Sequence, residues 1–246
     1  ILSLSFYLLL IFLYNSSMKI LVTSGGTSEA IDQVRSITNH STGRLGKVIT
    51  ETLLKAGHQV CLITTRQALK PELHPNLTMI EIQNTSDLLQ EMKRIVPDYQ
   101  VLIHSMAVSD YSPVYMTGLD EVQASQDLSE FLHKKNTETK ISSKDEVQVL
   151  FLKKNPKIIS LVKEWNPSIH LIGFKLLVDV TEEHLIQIAR ESLKKNQADL
   201  IVANDLTQIN ANQHLAYLVE EKDYQIAASK KEIADLLVKK IQGFDC

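Results

Sequence analysis

Three side chains able to bind or polarise a ligand, Arg35, Asn39 and His40, lie close together in a polar stretch near the start of the chain. An arginine offers a planar fork for phosphate or carboxylate, and an asparagine offers a paired donor and acceptor. Gly25 and Gly26 precede them, and glycine lets a ligand approach the backbone closely. This combination predicts a site for an anionic ligand, in which His40 contacts the ligand or only orients the loop.

The flanking segments predict how this stretch is held. Ile20–Val22 is a short apolar run typical of a buried strand, and apolar residues recur at helical spacing over Leu45–Ala56. Ser41 or Thr42 is the expected N-cap of that helix. The polar loop between them is about 18 residues long, and a structureless loop of that length is usually functional. A strand, a loop and a helix N-terminus in this order favour anion binding, because free N–H groups and the helix dipole meet the ligand.

Strand and helix patterns alternate along the rest of the chain, which predicts an α/β fold with a Rossmann-like, doubly wound, mostly parallel sheet. Residues 111–140 break the alternation without a clean strand, so we expect a protruding excursion there, with a short helix over 127–135. Ligands of such sheets bind beyond the carboxyl ends of strands, here after Thr23 and after His104. The predicted strands cover 59–64, 77–82, 100–104, 146–152, 169–174 and 199–203, followed by a C-terminal hairpin of 215–219 and 224–227. The predicted helix N-caps are Thr85 or Ser86, Asn155 with Pro156 at the first helical position, Thr181 and Ser229.

The composition of the chain limits the classes of function that the protein can have. The 246 residues carry a net charge of −3, which argues against a general nucleic-acid binder. Two cysteines, Cys61 and Cys246, form no disulfide framework and suit the reducing cytoplasm. Cys61 lies in an apolar run and is expected to be a core residue.

The first 17 residues are very apolar but shorter than the ~20 residues that span a bilayer. They lack the basic start and the small-residue cleavage site of a signal peptide. We interpret residues 1–17 as an upstream extension, not native or disordered, and Met18 as the natural start of one ligand-binding domain over 18–246. The alternative is a membrane anchor; we expect no membrane association.

Further candidate residues follow the predicted strands. Asp110 could hold a ribose hydroxyl, a base donor or hydrated magnesium, or else be a solvated loop acid. Phe174 ends a strand, where its ring could stack on a base or simply fill the core. Lys140 stands in a charged stretch and is either solvated or a mobile cation that closes over phosphates after binding.

The joint order of several segments closely resembles the phosphopantothenate–cysteine ligase family, and its monofunctional bacterial members in particular. No single segment decides this, and the resemblance extends from Lys19 to about Lys240. The matching segments are 23–29, 32–46, Met106–Tyr111, Thr139–Ser143, Lys154–Ile158, Gly173–Phe174, Lys194–Asp199 and Val202–Asp205.

The resemblance implies a ligase that joins 4′-phosphopantothenate to L-cysteine in coenzyme A biosynthesis. It implies an acyl-nucleotide intermediate, pyrophosphate release, Mg²⁺, and CTP or ATP as co-substrate, with no flavin. It also implies a homodimer in which residues 111–140 reach the partner. The implied catalytic residues are Asn39 and Lys140, and the implied substrate-binding residues are Arg35, Asn39 and His40. The implied nucleotide-binding residues are Gly25, Gly26, Ser105, Met106, Ala107, Asp110, Lys140, Pro156, Lys157, Ile158, Ile159, Phe174 and Lys195.

Three departures from the family pattern bear on the nucleotide. Met106 replaces an alanine, Lys157 replaces an aspartate, and Ser142-Ser143 follow Lys140-Ile141 where bifunctional members carry lysines. The serines resemble those of monofunctional and eukaryotic members, so CTP is expected over ATP only because the rest of the chain looks bacterial.

Other functions on the same fold stay open at this point. One is an NAD(P)-binding oxidoreductase, although the chain lacks the G-x-G-x-x-G fingerprint. Others are a flavoprotein and a nucleotide-binding protein without catalysis. A sensor of that last kind would need the glycine loop but neither Asn39 nor Lys140.

Overall fold

The computed structural model describes residues 17–210 and 213–245, so the extension predicted for residues 1–17 lies, apart from Ser17, outside the described residues, as does Cys246. The strands are β1 (Lys19–Ser24), β2 (Ser28–Ala30), β3 (Ser36–Thr38), β4 (Gln59–Thr65), β5 (Leu77–Ile82), β6 (Val101–His104), β7 (Tyr111–Gly118), β8 (Gln148–Lys154), β9 (His170–Leu177), β10 (Leu200–Asp205), β11 (Ala216–Val219) and β12 (Tyr224–Ala227). The α-helices are α1 (Arg44–Lys55), α2 (Thr85–Ile95), α3 (Leu119–Ala124), α4 (Val162–Trp165), α5 (Glu182–Asn196) and α6 (Lys230–Gln242).

The central sheet has eight strands in the order β12-β11-β10-β9-β6-β1-β4-β5. Its strands are parallel from β10 to β5, while β11 and β12 form the antiparallel C-terminal hairpin. This confirms the predicted Rossmann-like, mostly parallel α/β fold. Strand order reverses between β1 and β6, since β4 and β5 extend the sheet on one side of β1 and β6 on the other.

Two apolar layers cover the two faces of this sheet. On one face α1 and α6 pack together and bury residues such as Leu53 and Leu237. On the other face α2, α4 and α5 bury residues such as Leu88, Val162 and Leu185. Because both faces are covered, the central strands consist of nearly continuous apolar runs, as parallel strands do.

The loop after β1 contains more structure than its polar sequence predicts. β2 and β3 pair as a short antiparallel hairpin around the turn at residues 31–35. The predicted N-cap of α1 was also wrong: Gly43 occupies that position with a φ of 71° and no side-chain cap. Glycine tolerates this left-handed conformation, which Ser41 or Thr42 would adopt only with strain.

The excursion after β6 was predicted without a clean strand, and that was wrong. β7 pairs with β8 in an antiparallel two-stranded sheet outside the central sheet; we call residues 111–154 the arm. A register shift between Pro113 and Tyr115 disrupts the alternation that would have identified β7. Phe131 is fully buried in the arm and stacks on Phe151, with ring centroids 4.7 Å apart.

Two further helix starts differ from the predictions. Asn84 caps α2 in a capping box with Asp87, instead of Thr85 or Ser86. Asn155 caps no helix, because its side chain bonds Ser109 and Ser112, and a 3₁₀ turn begins only at Ile158. The predicted caps Thr181 and Ser229 are confirmed, each accepting a hydrogen bond from the third residue of its helix.

Candidate active site

A cavity of about 770 Å³ opens at the carboxyl ends of the parallel strands, at the reversal of strand order. Its walls are the loop before α1, the segment after β6, the 3₁₀ turn before α4 and the end of β9. The described lining residues are Ser24, Gly25, 39–46, 104–110, 156–159, 174–176, Ser192, Asn196, Asn204, Leu206, Ile209, His214 and Lys230.

The start of α1 is shaped to receive an anion. Without a side-chain cap at Gly43, the first-turn N–H groups stay available, apart from a long contact of 3.4 Å from Arg44 N to Thr42 Oγ1. Gly46 lies against Ser24: a Cβ on Gly46 would stand 2.1 Å from Ser24 Oγ. Only glycine therefore allows α1 to begin this close to the end of β1.

The ends of β1 and β6 are held together by polar side chains. Ser105 Oγ donates to Thr23 O at 2.6 Å, and Thr23 Oγ1 lies 2.8 Å from His104 Nδ1. The backbones of Gly26 and Ala107 also pair as an isolated bridge. Burial lowers the pKa of His104 to about 4, with nearby Lys157 as a lesser cause, so His104 is neutral at pH 7.

Asp110 and Lys157 face each other across the cavity rim. Lys157 Nζ lies 3.0 Å from Asp110 Oδ1, and both side chains are 65% exposed. An ion pair this exposed contributes at most about 1 kcal/mol, so either partner can exchange it for a ligand. Asn155 N donates to Asp110 O at 2.8 Å and so fixes the segment that carries Asp110.

The cavity is strongly positive although the chain is slightly negative. Among the described residues that line it, four side chains are lysine or arginine, and Asp110 is the carboxylate. Such a wall favours a polyanion, because low-dielectric surroundings strengthen each attraction. The four cations are Arg44, Lys157, Lys175 and Lys230.

Most of the predicted site residues come together here. Those lining the cavity are Gly25, Asn39, His40, Ser105, Met106, Ala107, Asp110, Pro156, Lys157, Ile158, Ile159 and Phe174. Four predicted residues, Gly26, Arg35, Lys140 and Lys195, are not among the described lining residues. Gly26 lies just behind the wall, where a Cβ would approach Asn39 O to 2.7 Å.

Arg35 and Lys140 belong to a second cluster. Arg35 binds Asp32 through Nε and Nη2 and donates to Ile141 O at 3.1 Å. Gln33 N also donates to Thr139 O at 3.1 Å. The β2–β3 turn therefore forms hydrogen bonds with the residues directly before and after Lys140. Hydrogen bonding by Arg35 holds the pKa of Asp32 well below its usual range.

The prediction from sequence missed several lining residues. His104 directly precedes the predicted Ser105. Its position at the end of a predicted strand could have identified it as a site residue. Arg44 lies within the quoted glycine loop, whereas nothing in the sequence places Asn204, His214 or Lys230 near that loop. The sheet brings those three together because β10, β11 and β12 end or begin at the same edge.

A Rossmann-like sheet, an uncapped helix start and a positive cavity at the strand-order reversal together define an α/β protein with a candidate anion-binding site. The family model of the DNA/pantothenate metabolism flavoprotein C-terminal domain matches residues 16–119 and 118–244. The chain belongs to this family, which confirms its resemblance to the phosphopantothenate–cysteine ligases.

Similar proteins agree with this assignment. A crystal structure of the DNA/pantothenate metabolism flavoprotein from Streptococcus pneumoniae is 74% identical, covers 93% of this chain and 100% of its own, and gives a TM-score of 0.89. The C-terminal domain of a coenzyme A biosynthesis bifunctional protein CoaBC is 27% identical, covers 92% of this chain and 94% of its own, and gives a TM-score of 0.66. The CoaBC protein of Thermococcus kodakarensis is 32% identical over 91% of this chain and 51% of its own.

The chain spans about half the length of the curated relatives it matches first. Within the part of the chain that the structure describes, no helix has the length and apolar character needed to cross a membrane. The described residues also contain no cluster of three or more histidine, cysteine, aspartate or glutamate side chains suited to a metal ion.

Proposed function

We propose that this chain is a phosphopantothenate–cysteine ligase of coenzyme A biosynthesis. A carboxylate is a poor electrophile, so the acid is first activated by the α-phosphate of a nucleoside triphosphate. The carboxylate oxygen attacks that phosphorus, pyrophosphate leaves, and an acyl-nucleotide forms. The neutral amine of L-cysteine then attacks the acyl carbon, the nucleoside monophosphate leaves with the bonding electrons, and the new amide nitrogen releases a proton to solvent.

The observation that carries this proposal is the positive cavity at the strand-order reversal, with Asn39 in its wall. Its size, about 770 Å³, suits a nucleotide together with a second small substrate. The uncapped start of α1 supports binding of the triphosphate. Phe174, half-buried in the wall, supports a stacking surface for the base.

Asn39 is proposed to polarise the acyl carbonyl and to stabilise the oxyanion formed when cysteine attacks. Asp110 is proposed to contact the nucleotide, releasing Lys157 toward the phosphates. Catalysis then rests on positioning and charge stabilisation, which explains why no nucleophilic triad is required.

Mg²⁺ fits as an ion carried by the nucleotide. Magnesium commonly binds through substrate phosphates with one or two carboxylates, and Asp110 is the carboxylate among the described lining residues. When bound, it would neutralise charge on the phosphates. We propose CTP rather than ATP as the co-substrate, and no flavin, so the purified protein should be colourless.

We further propose a homodimer in which each subunit completes the other's site. Arg35 and Lys140 form a cluster outside the described lining of their own chain's cavity, which supports a role in a partner's site. The arm also exposes large apolar side chains: Tyr111 is 52% exposed, Val147 50% and Leu152 41%. These side chains are spread along the two-stranded arm, from the Tyr111 end to the Val147 end, so an arm that packs on a second subunit would cover them.

Replacing Asn39 tests the proposal against a nucleotide-binding protein without catalysis. We expect Asn39→Ala to lower formation of phosphopantothenoylcysteine, followed by mass spectrometry, by about 10²–10³-fold because an oxyanion contact is lost. Nucleotide affinity, measured by calorimetry, should stay near the wild-type value. Asn76→Ala, in an exposed loop before β5, is the matched control and should keep full turnover. Undiminished turnover by Asn39→Ala would refute the proposed role.

A further inference from the structure

The central sheet ends at an edge strand, β12, whose outer side is open. β12 pairs with β11 on one side, and no described strand pairs with it on the other. In the turn between them Glu220 N donates to Asp223 O at 2.9 Å, so this pair of residues is hydrogen-bonded. Because such pairs alternate along antiparallel strands, the backbone of Gln225 faces β11, whereas the N–H and C=O groups of Tyr224 and Ile226 point outward. β12 therefore offers backbone donors and acceptors to a further strand.

The two residues whose backbone points outward also carry exposed apolar side chains. Tyr224 is 40% exposed and Ile226 is 54% exposed. They pair with Val219 and Tyr217, so both lie on the face of the sheet that α5 covers. The hydroxyl of Tyr224 donates to Glu182, at the start of α5, at 3.1 Å. β12 contains no charged residue and no proline, the residues that usually protect an edge strand from pairing with another chain.

The opposite edge of the sheet is protected by charge. Its edge strand, β5, contains Glu81, which pairs with Lys70 at 3.5 Å. Lys70 Nζ also donates to the carbonyl oxygens of Thr65 and Arg66, which holds the lysine beside the end of β4. Charged side chains on an edge strand discourage pairing with another chain. Of the two edges of the sheet, β12 is therefore the one suited to association.

β12 is complementary to a second copy of itself. Antiparallel pairing about a two-fold axis at Gln225 sets Tyr224 of each chain opposite Ile226 of the other. Both of these pairs are hydrogen-bonded, since the backbone groups of the two residues already point outward. Each pair also places an aromatic ring against a β-branched side chain, which is a favourable cross-strand contact. The contact uses the same surface on both chains and closes on itself, as in most homodimers.

The side of α5 next to β12 carries charges that suit this arrangement. A groove between α5 and β12 is lined at the first turn of the helix by Glu182 and Glu183. Toward the last turn it is lined by Arg190 and Lys194, with Glu191 between them. The groove is thus negative at one end and positive at the other. The two-fold axis reverses the second helix, so the negative end of each groove faces the positive end of the other, which favours a second copy as the partner.

We propose that β12 is an association surface at which two copies of this chain join their central sheets into one continuous sheet. The surface is distinct from the arm, which begins after β6, four strands away from β12 in the sheet. It also lies apart from the described cavity, whose lining contains no residue of β12. The association does not depend on the proposed ligase activity. Together with the contact proposed for the arm, it would build assemblies larger than a dimer.

A cysteine at the proposed axis tests the register. In a chain that also carries Cys246→Ser, Gln225→Cys should form a disulfide between two chains under mild oxidation, because directly opposite residues have their Cβ atoms close together. Non-reducing electrophoresis measures the rate at which linked chains appear. Asn76→Cys, exposed in the loop before β5, is the matched control and should cross-link far more slowly. Equal rates for the two variants would overturn the proposal.

A proline at Ile226 tests the backbone hydrogen bonds. Ile226→Pro removes an N–H group that points outward and leaves the hydrogen bonds to β11 in place. We expect self-association, measured by sedimentation equilibrium, to weaken about tenfold or more, because each interface loses two hydrogen bonds. Circular dichroism checks that the variant is folded, and Ile226→Lys, with the same expected result, replaces it if it is not. Association of the folded variant at wild-type strength would contradict the proposal, as would a wild type with no association that depends on residue 226.

Discussion

At the scale of single residues, the site depends on groups whose chemistry is altered by burial. His104 is 8% exposed and sits between the ends of β1 and β6, bonded to Thr23. A buried, neutral imidazole can orient Thr23 without adding charge to the cavity wall. The pKa of His104 falls from its ordinary value of 6.5 to about 4 in the folded protein. Protonation of His104 therefore favours the unfolded state.

This opposition predicts a pH dependence of stability. In the unfolded chain His104 is protonated below about pH 6.5, whereas in the folded protein it is protonated only below about pH 4. Between these values the unfolded state binds one more proton, so the free energy of unfolding should decrease as the pH falls from 6.5 to 4. Urea denaturation at several pH values measures the slope. His104→Asn should remove a large part of this pH dependence of the free energy of unfolding. The remainder is expected from His214, whose pKa is lowered over the same pH range. An unchanged slope would contradict a buried, neutral His104.

At the scale of elements, Glu29 links the β2–β3 hairpin to the rest of the site. Its buried carboxylate accepts hydrogen bonds from Thr85 N, Thr85 Oγ1 and Ser112 Oγ at 2.7–2.9 Å. Ser112 in turn contacts Asn155, which bonds the backbone of Ser109. One carboxylate thus ties together the hairpin, the start of α2 and the arm.

Removing this carboxylate should destabilise the protein measurably. We expect Glu29→Ala to lower the free energy of unfolding by about 2–3 kcal/mol, because buried donors on Thr85 lose their acceptor. Glu29→Gln should cost less, since its amide oxygen still accepts. Glu91→Ala, which breaks a solvent-facing pair with Arg94, serves as the control and should change the free energy of unfolding much less. Equal effects of the two alanine variants in denaturant titrations would rule out this role for Glu29.

The elements differ in how well the sequence predicts them. Strands of the central sheet follow from apolar runs, because parallel strands are buried on both faces. β2, β3 and β7 escape prediction, since they are short or irregular and gain their stability from tertiary partners such as Glu29 and Phe131. Likewise, the sequence predicts Asn155 as a helix N-cap, but its side chain instead forms hydrogen bonds with Ser109 O and with Ser112, which also bonds Glu29.

At the scale of the whole molecule, the cavity gathers residues from both ends of the chain. The residues before α1 and after β6 were predictable because their local sequence carries glycine and small polar residues beside strand ends. His214 and Lys230 were not, because only the position of the β11–β12 hairpin in the sheet brings them to α1. Local sequence carries no information on that long-range placement.

Separation of Arg35 and Lys140 from the cavity lining of their own chain leads to a prediction for the assembly. Asn39→Ala and Lys140→Ala should each be inactive alone. After mixing and subunit exchange, half the dimers carry one of each chain, and one of their two sites is intact if the residues act across the interface. Activity should then return to about a quarter of the wild-type value. No recovery despite exchange, followed by native mass spectrometry, would place both residues in one subunit.

Pyrophosphate release by the purified chain, with phosphopantothenate and Mg²⁺, is the direct test of the proposed ligase function. CTP is compared with ATP, each with and without L-cysteine. We expect cysteine-dependent turnover with CTP, because the acyl-nucleotide is consumed only when the amine attacks. Turnover with ATP alone would keep the ligase and reverse the choice of nucleotide. A folded protein that releases no pyrophosphate with either nucleotide would contradict the proposed ligase function.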